Sequence, residues 1–335
     1  MKNYKMIVGI DVSKLTLDAQ LMFEPKDGRN SHLKVSNNDK GIKEIIKTIK
    51  NLRIDIQDCL FCFENTGIYS MPLSYSLSKK DVDYWVVNAL EINRSKGISR
   101  GKNDKNDAKE IAFYAFTHLH KLTLTKIPER EIAELKILFT EREKLIKAIK
   151  VMDTTKEVQG FIPKEIIKNV MKLNAKTLLL LKKQLNEVEK QMNDIVIKNE
   201  NILTQQNLIT SIPGVGKQTA LYLIITTKCF DRFENWRQLA CYAGVAPFEF
   251  SSGSSVRGRT KVNHLADKKM KSLLNMCALS IKKYDKEIAE YYKKKVSEGK
   301  NPMLVMNNIR CKILSRVFAT INRGTPYVNT HKFAA

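Results

Sequence analysis

Two hydrophobic periods alternate along the first hundred residues. "KMIVGIDVS" is an apolar run of strand length, "LTLDAQLMF" follows it, and after the turn "EPKDG" comes a short "HLKV". Runs of this length bounded by turn residues predict a three-stranded antiparallel meander. Over residues 39–52 the period changes, and Ile42, Ile45, Ile46, Ile49 and Leu52 recur at helical spacing. "CLFCFEN" reads as a second buried strand, "YSMPLSYSLSK" as a helix and "DYWVVNA" as a further strand. Residues 128–206 then lose almost all glycine. "EIAELKILFTEREKLIKAIKVM" and "KTLLLLKKQLNEVEKQMNDIVIKNENIL" read as two long helices broken at "TTKEVQGFIP". A helical hairpin, an intermolecular coiled coil and a plain bundle core all fit this pattern. From residue 207 glycine returns at 214, 216, 244, 253 and 258, and three helical stretches follow, ending in "PMLVMNNIRCKILSRVFATI".

The expected class is therefore α/β plus α. A mixed sheet with helices occupies 1–127, a helical hairpin or coiled coil serves assembly over 128–206, and 207–335 form a mainly helical domain. The order β-β-β-α-β-α-β-α is that of the ribonuclease H-like fold, where the first and fourth strands are neighbours at the sheet centre.

Charge changes the picture. The 335 residues carry a formal +23 with an ordinary 43% of hydrophobic residues. That excess predicts a polyanionic partner, nucleic acid first, with a ribosomal or membrane-surface protein as the bland alternative. No apolar run reaches the ~20 residues of a membrane span, and the start enters a strand without a signal-peptide pattern, so a cytoplasmic, nucleoid-associated protein is expected. The six cysteines lie mostly in apolar stretches. Cys59 and Cys62 form a lone CxxC inside a strand pattern, which predicts reduced core thiols and no zinc.

Against this basic background four acids stand out. Asp11 interrupts an apolar strand on the face of Ile7 and Gly9, and Glu64 ends the strand of Leu60 and Cys62. A buried acid is costly without a partner, and two facing each other leave one protonated unless a cation joins them. In "ISRGKNDKNDAKEIAFYA", Asp104 and Asp107 extend the stripe of Ala108, Ile111 and Ala115, while basic residues including Arg100 and Lys102 lie elsewhere and would meet nucleic acid. An N-cap at Asp104 is the competing reading of this pair. Four oxygen ligands at one sheet edge suit Mg²⁺, or Mn²⁺, and two such ions can clamp both oxygens of a phosphodiester exchange.

Two further segments carry possible chemistry. "FEFSSGSSVRGRTK" reads as a polar, Gly-rich loop in which Arg257, Arg259 and Lys261 suit phosphate, and a serine hydroxyl is a candidate nucleophile. A flexible linker is the alternative. "IPGVGKQTA" lacks the first Gly and the Ser/Thr of a P-loop, which excludes that way of binding ATP. It fits a helix-hairpin-helix, with Gly214, Gly216 and Lys217 at a phosphate, or else a structural helix turn.

"IVGIDVSK", "FENTGIY" and "KNDKNDAKEIA" resemble the N-terminal DEDD domain of insertion-sequence transposases related to the Piv invertases. "IPGVGKQTALYLI", "LACYAGVAPFEFSSGSSVRGRTKV" and "LLNMCALS" resemble that family's C-terminal domain. The resemblance implies a RuvC-like first domain with Asp11, Glu64, Asp104 and Asp107 as metal ligands. It implies a serine from the second domain in a composite active site; the Ser-Gly pattern selects Ser252, with Ser251 its nearest competitor. It further implies DNA, donor and target, as substrate, a structured guide RNA from the element's non-coding end, and homodimers that pair into tetramers. The sequence departs from the family at Ala266 and Lys271, where a Gly and an Arg are usual. Two other functions compete: a RuvC-like metal-dependent Holliday-junction resolvase or nuclease, and a non-catalytic nucleic-acid-binding protein.

Overall fold

Strand β1 (Met6–Val12) is paired on both sides, antiparallel to β2 (Thr16–Met22) and parallel to β4 (Cys59–Glu64). In the computed structural model, which describes residues 2–95, 103–153, 161–252, 256–262 and 266–329, it is the middle of a five-stranded sheet. The side chains of 164, 248–252 and 256–262 are outside that description. The chain divides into two units, Met1–Ile127 and Pro128–Ala335.

In the first unit β3 (Ser31–Ser36) pairs with β2, and β5 (Tyr84–Val87) with β4, giving the order β3-β2-β1-β4-β5. Strand alternation sends Val8, Ile10, Phe61 and Phe63 to one face. There they meet Ile42, Ile45 and Ile49 of α1 (Asp39–Asn51) and Leu73 and Leu77 of α2 (Met71–Lys79). Asn38 starts α1 by accepting hydrogen bonds from the backbone N–H groups of Lys40 and Gly41. The opposite face, with Ile7, Leu60, Cys62 and Trp85, packs against Ile92 of α3 (Ala89–Ser95) and Ile111, Ala112 and Ala115 of α4 (Asp104–Thr117). Gly9 makes this contact possible. A Cβ there would lie 2.3 Å from the Ala112 nitrogen and 2.5 Å from the Ala108 carbonyl oxygen. The helix backbone thus rests directly on the strand that carries Asp11.

The second unit is mostly helical. Helices α5 (Arg130–Asp153) and α6 (Lys164–Lys198) pack side by side, and Arg142 Nε donates to Glu189 Oε1 at 2.7 Å. Part of this pair, through Ile132, Leu135, Phe139, Met192 and Val196, joins one core with the rest of the unit. That core draws on α7 (Glu200–Thr210), α8 (Lys217–Thr227) and α9 (Trp236–Tyr242). It also draws on α10 (Lys268–Tyr284), α11 (Lys286–Ser297) and α12 (Pro302–Arg323). The segment expected as a polar loop is instead an antiparallel β-hairpin, β6 (Pro247–Ser252) with β7 (Val256–Val262). Its serines and glycines obscured two short runs, "PFEFSS" and "VRGRTKV", whose β-branched and aromatic residues favour strand.

Candidate active site

Asp11 and Glu64 end neighbouring parallel strands. Ile10 is in register with Phe63, so the two acids occupy the next positions on each. Above them stands the first turn of α4. Asn103, rather than Asp104, is its N-cap: the Asn103 side chain accepts from the Asn106 N–H at 2.8 Å. Asp104 is thereby free of the capping role that competed for it, and Asp107 lies one turn on. The four predicted acids come to one edge of the sheet. Asp11 feels all of them: burial, then Asp107, Asp104 and Glu64, and finally Asp18, push its pKa up to about 6.

Asp18 is a fifth acid that the sequence reading missed. It stands directly opposite Asp11 across the β1–β2 pair and is only 3% exposed. His32 Nε2 lies 3.1 Å from its Oδ1, and the Lys34 ammonium donates both to Asp18 Oδ2 and to Asp104 Oδ2, each at 3.0 Å. Those two hydrogen bonds, Asp104 first, raise the Lys34 pKa. The signal was faint. Thr16, Asp18 and Gln20 alternate like a solvent face, yet α4 covers that face and Gln20 is buried along with Asp18. Asn37 ties the segments beyond β1 and β4 together, its Nδ2 donating to the Ser13 and Tyr69 carbonyls at 2.8 and 2.9 Å.

The donor set fits a hard divalent cation. All the groups on offer are carboxylate oxygens, and the pKa of Asp11, raised first by burial and then by its acidic neighbours, is one that a bound cation would bring back down. Among the described residues no three His, Cys, Asp or Glu side chains are already gathered as a ligand set. The Lys34 ammonium stands between two of the acids instead.

The remaining predicted residues lie elsewhere. Arg100 and Lys102 fall outside the described residues. Ser251 and Ser252 are successive positions of β6, in register with Arg257 and Val256 of β7. Of Arg257, Arg259 and Lys261 only the backbone, in β7, is described. In the α7–α8 turn the two glycines differ. Gly214 has φ +79, and a Cβ there would come within 3.0 Å of Ile281 N and Cys277 O, so it serves close packing on α10. Gly216 has open space around it and begins α8 without a side-chain cap, and Lys217 beside it is exposed.

Comparison with known proteins gives this arrangement its class. Residues 8–160 match the family model described as Transposase, DEDD_Tnp_IS110, and residues 206–293 that described as Transposase IS116/IS110/IS902 family. The chain is similar to the pilin gene-inverting proteins of Moraxella bovis and Moraxella lacunata, 24% identical in each case over 328 residues. That alignment covers 96% of this chain and 98% of each relative. It is 30% identical over 120 residues, 36% of this chain and 29% of the relative, to the insertion element IS110 uncharacterized 43.6 kDa protein of Streptomyces coelicolor. The two matched models are of transposases and the Moraxella relatives are named for inverting a pilin gene, and the chain is a DNA recombinase or transposase. It belongs to the IS110 family of transposases. Enzymes of the DEDD class are typically metal-dependent, and among the described residues no helix is long and apolar enough to cross a membrane.

Proposed function

We propose that this chain is the recombinase of an insertion sequence, which cuts and rejoins DNA with a RuvC-like carboxylate site and a serine nucleophile. The observation that carries the reading is the placement of Asp11 level with Glu64 on the neighbouring parallel strand and opposite Asp18, where burial first and then the charges of Asp107, Asp104 and Glu64 raise its pKa. Asp11, Glu64, Asp104 and Asp107 hold the divalent cation, Mg²⁺ or Mn²⁺, which when bound neutralises phosphate charge and polarises the P–O bonds. Ser252 attacks phosphorus; its Oγ–P bond forms as the bond to the departing sugar oxygen breaks, and the proton lost by serine balances the one gained by that oxygen. The serine ester conserves the bond energy, so a second strand's hydroxyl can displace it without an outside energy source. Arg257, Arg259 and Lys261 hold the strand, with Arg100, Lys102, Gly216 and Lys217 as further phosphate contacts. A structured RNA from the element guides target choice.

The test is to stop the reaction on DNA carrying the element's ends with denaturant and look for a protein–DNA adduct by mass spectrometry. Wild type is expected to give an adduct on Ser252, and Ser252→Ala none, with DNA binding retained. An adduct on Ser251 moves the nucleophile by one residue. Recombination without any adduct removes the serine step.

Assembly into dimers and tetramers has support in the second unit. Ile166, Val170, Leu173 and Leu180 repeat at four, three and seven residues along α6 and stay exposed, Leu173 to 65%. Such spacing suits a second copy of the same helix. Val170→Lys with Leu173→Lys is expected to lower the sedimenting mass to that of a single chain; unchanged mass would place the contact elsewhere.

A further inference from the structure

Arg310 is a buried cation without a buried anion. It lies on the apolar stripe of α12, between Met306 and Ile313, and is 5% exposed. Its Nη2 donates to Asn275 Oδ1 at 2.6 Å and its Nη1 to Asn307 Oδ1 at 3.3 Å. Both partners are neutral amides. Its Nε is buried with no acceptor, and no carboxylate among the described residues pairs with it. Burial accordingly draws its pKa down. An arginine buried for packing alone would be expected to carry a carboxylate, because an uncompensated charge in the interior costs several kcal/mol, on the order of the desolvation of one ion.

The surroundings say what the charge faces. Asn307 Nδ2 and Cys311 Sγ both bond the Val245 carbonyl, which lies just before β6. The Asp267 N–H donates to the Tyr242 carbonyl at 3.0 Å, joining the chain before the β6–β7 hairpin to the chain after it. Asn275 spends its oxygen on Arg310, and no partner for its NH₂ is found among the described residues. Lys271 lies one turn earlier on α10, on the same side of the helix as Asn275. A donor polarised by the guanidinium behind it and an ammonium beside it make a cradle for a mobile anion.

We propose that Arg310, acting through the Asn275 amide and beside Lys271, forms a binding site for one phosphodiester of a nucleic-acid strand at the foot of the hairpin that carries Ser252. The site rests on the reading that this enzyme handles nucleic acid, and is independent of the carboxylate edge. Arg310 is a positioning residue: its charge reaches the phosphate through Asn275, and through Asn307 it fixes the carbonyl from which the hairpin springs.

The experiment measures fluorescence anisotropy of the full chain with labelled single-stranded DNA, duplex DNA and RNA of one sequence, across a KCl series, together with thermal melts. Wild-type binding tests the nucleic-acid reading alone. Arg310→Met is expected to weaken binding about tenfold and to shallow the plot of log affinity against log salt by about one phosphate contact. Its melting temperature should stay level or rise, since a stranded charge is replaced by an apolar chain of similar length. Asn275→Ala, which leaves Arg310 in place, should weaken binding about threefold, and Arg310→Lys should recover part of the salt slope. The probe most affected identifies the strand type held. Wild-type affinity and slope in both Arg310→Met and Asn275→Ala overturn the site. A lower melting temperature in Arg310→Met with unaltered binding by Asn275→Ala reduces Arg310 to a packing residue.

Discussion

Asp11→Asn is expected to cut recombination roughly a thousandfold or more while leaving the fold at least as stable as the parent. The two effects have one cause. Asp11 is partly buried and sits in the field of Asp107, Asp104, Glu64 and Asp18, and burial first, then those charges, hold its proton up to about pH 6. The unfolded chain releases it near the ordinary carboxylate value, ~3.9. Between those values the folded state binds more protons than the unfolded one, so this residue makes the cation-free protein less stable as pH rises through the window. After allowance for its solvent contact the loss is on the order of 1 kcal/mol. Asparagine keeps the shape and removes the charge that burial and the neighbouring acids disfavour. Melts of both proteins in chelator from pH 4 to 7 should therefore diverge, the variant staying flat where the wild type declines. Added Mg²⁺ or Mn²⁺ should raise the wild type's melting temperature more than the variant's. Parallel curves would show that Asp11 does not carry the strain, and an active variant would remove it from the chemistry.

The largest loss of stability is expected from Gly9→Val. Any Cβ at this position meets helix backbone at 2.3 and 2.5 Å, and neither the Ala112 nitrogen nor the Ala108 carbonyl can turn aside as a side-chain tip could. Helix α4 must lift off β1, at a cost of ~3 kcal/mol or more, which for a unit of this size lowers its melting temperature by roughly 10 °C. Lifting α4 also carries Asp104 and Asp107 away from Asp11 and Glu64, so activity should fall even at temperatures where the variant is folded. Gly28→Ala is the control: nothing lies within 4 Å of its Cβ position. A Gly9→Val protein that melts like the Gly28→Ala control would mean that the helix has room to move.

The sequence made the sheet and its four acids readable because one face of each element is buried and the other is not. Asp11 broke an apolar run, and Asp104 and Asp107 continued a helical stripe. Asp18 and the β6–β7 hairpin escaped for the opposite reason. Asp18 lies in a strand whose polar face looks solvated until a helix from much later in the chain covers it, and the hairpin's turn residues concealed its alternation. Arg310 did leave a signal: it falls in phase with Met306, Ile313, Leu314 and Val317, a charge on a buried stripe.

The pairing of β1 also bears on how the site comes into being during synthesis. Its antiparallel contact with β2 closes over a short turn, its parallel contact with β4 waits for a crossover, and its helix cover arrives only with α4. Local contacts form sooner than distant ones, and chains fold from the N-terminus as they emerge. Asp11 and Asp18 are thus brought together first, Glu64 later, and the acids of α4 last of all. A nascent or truncated chain that stops short of α4 makes most of the sheet but lacks Asp104 and Asp107, and so stays without the complete set of acids until most of the first unit has been translated.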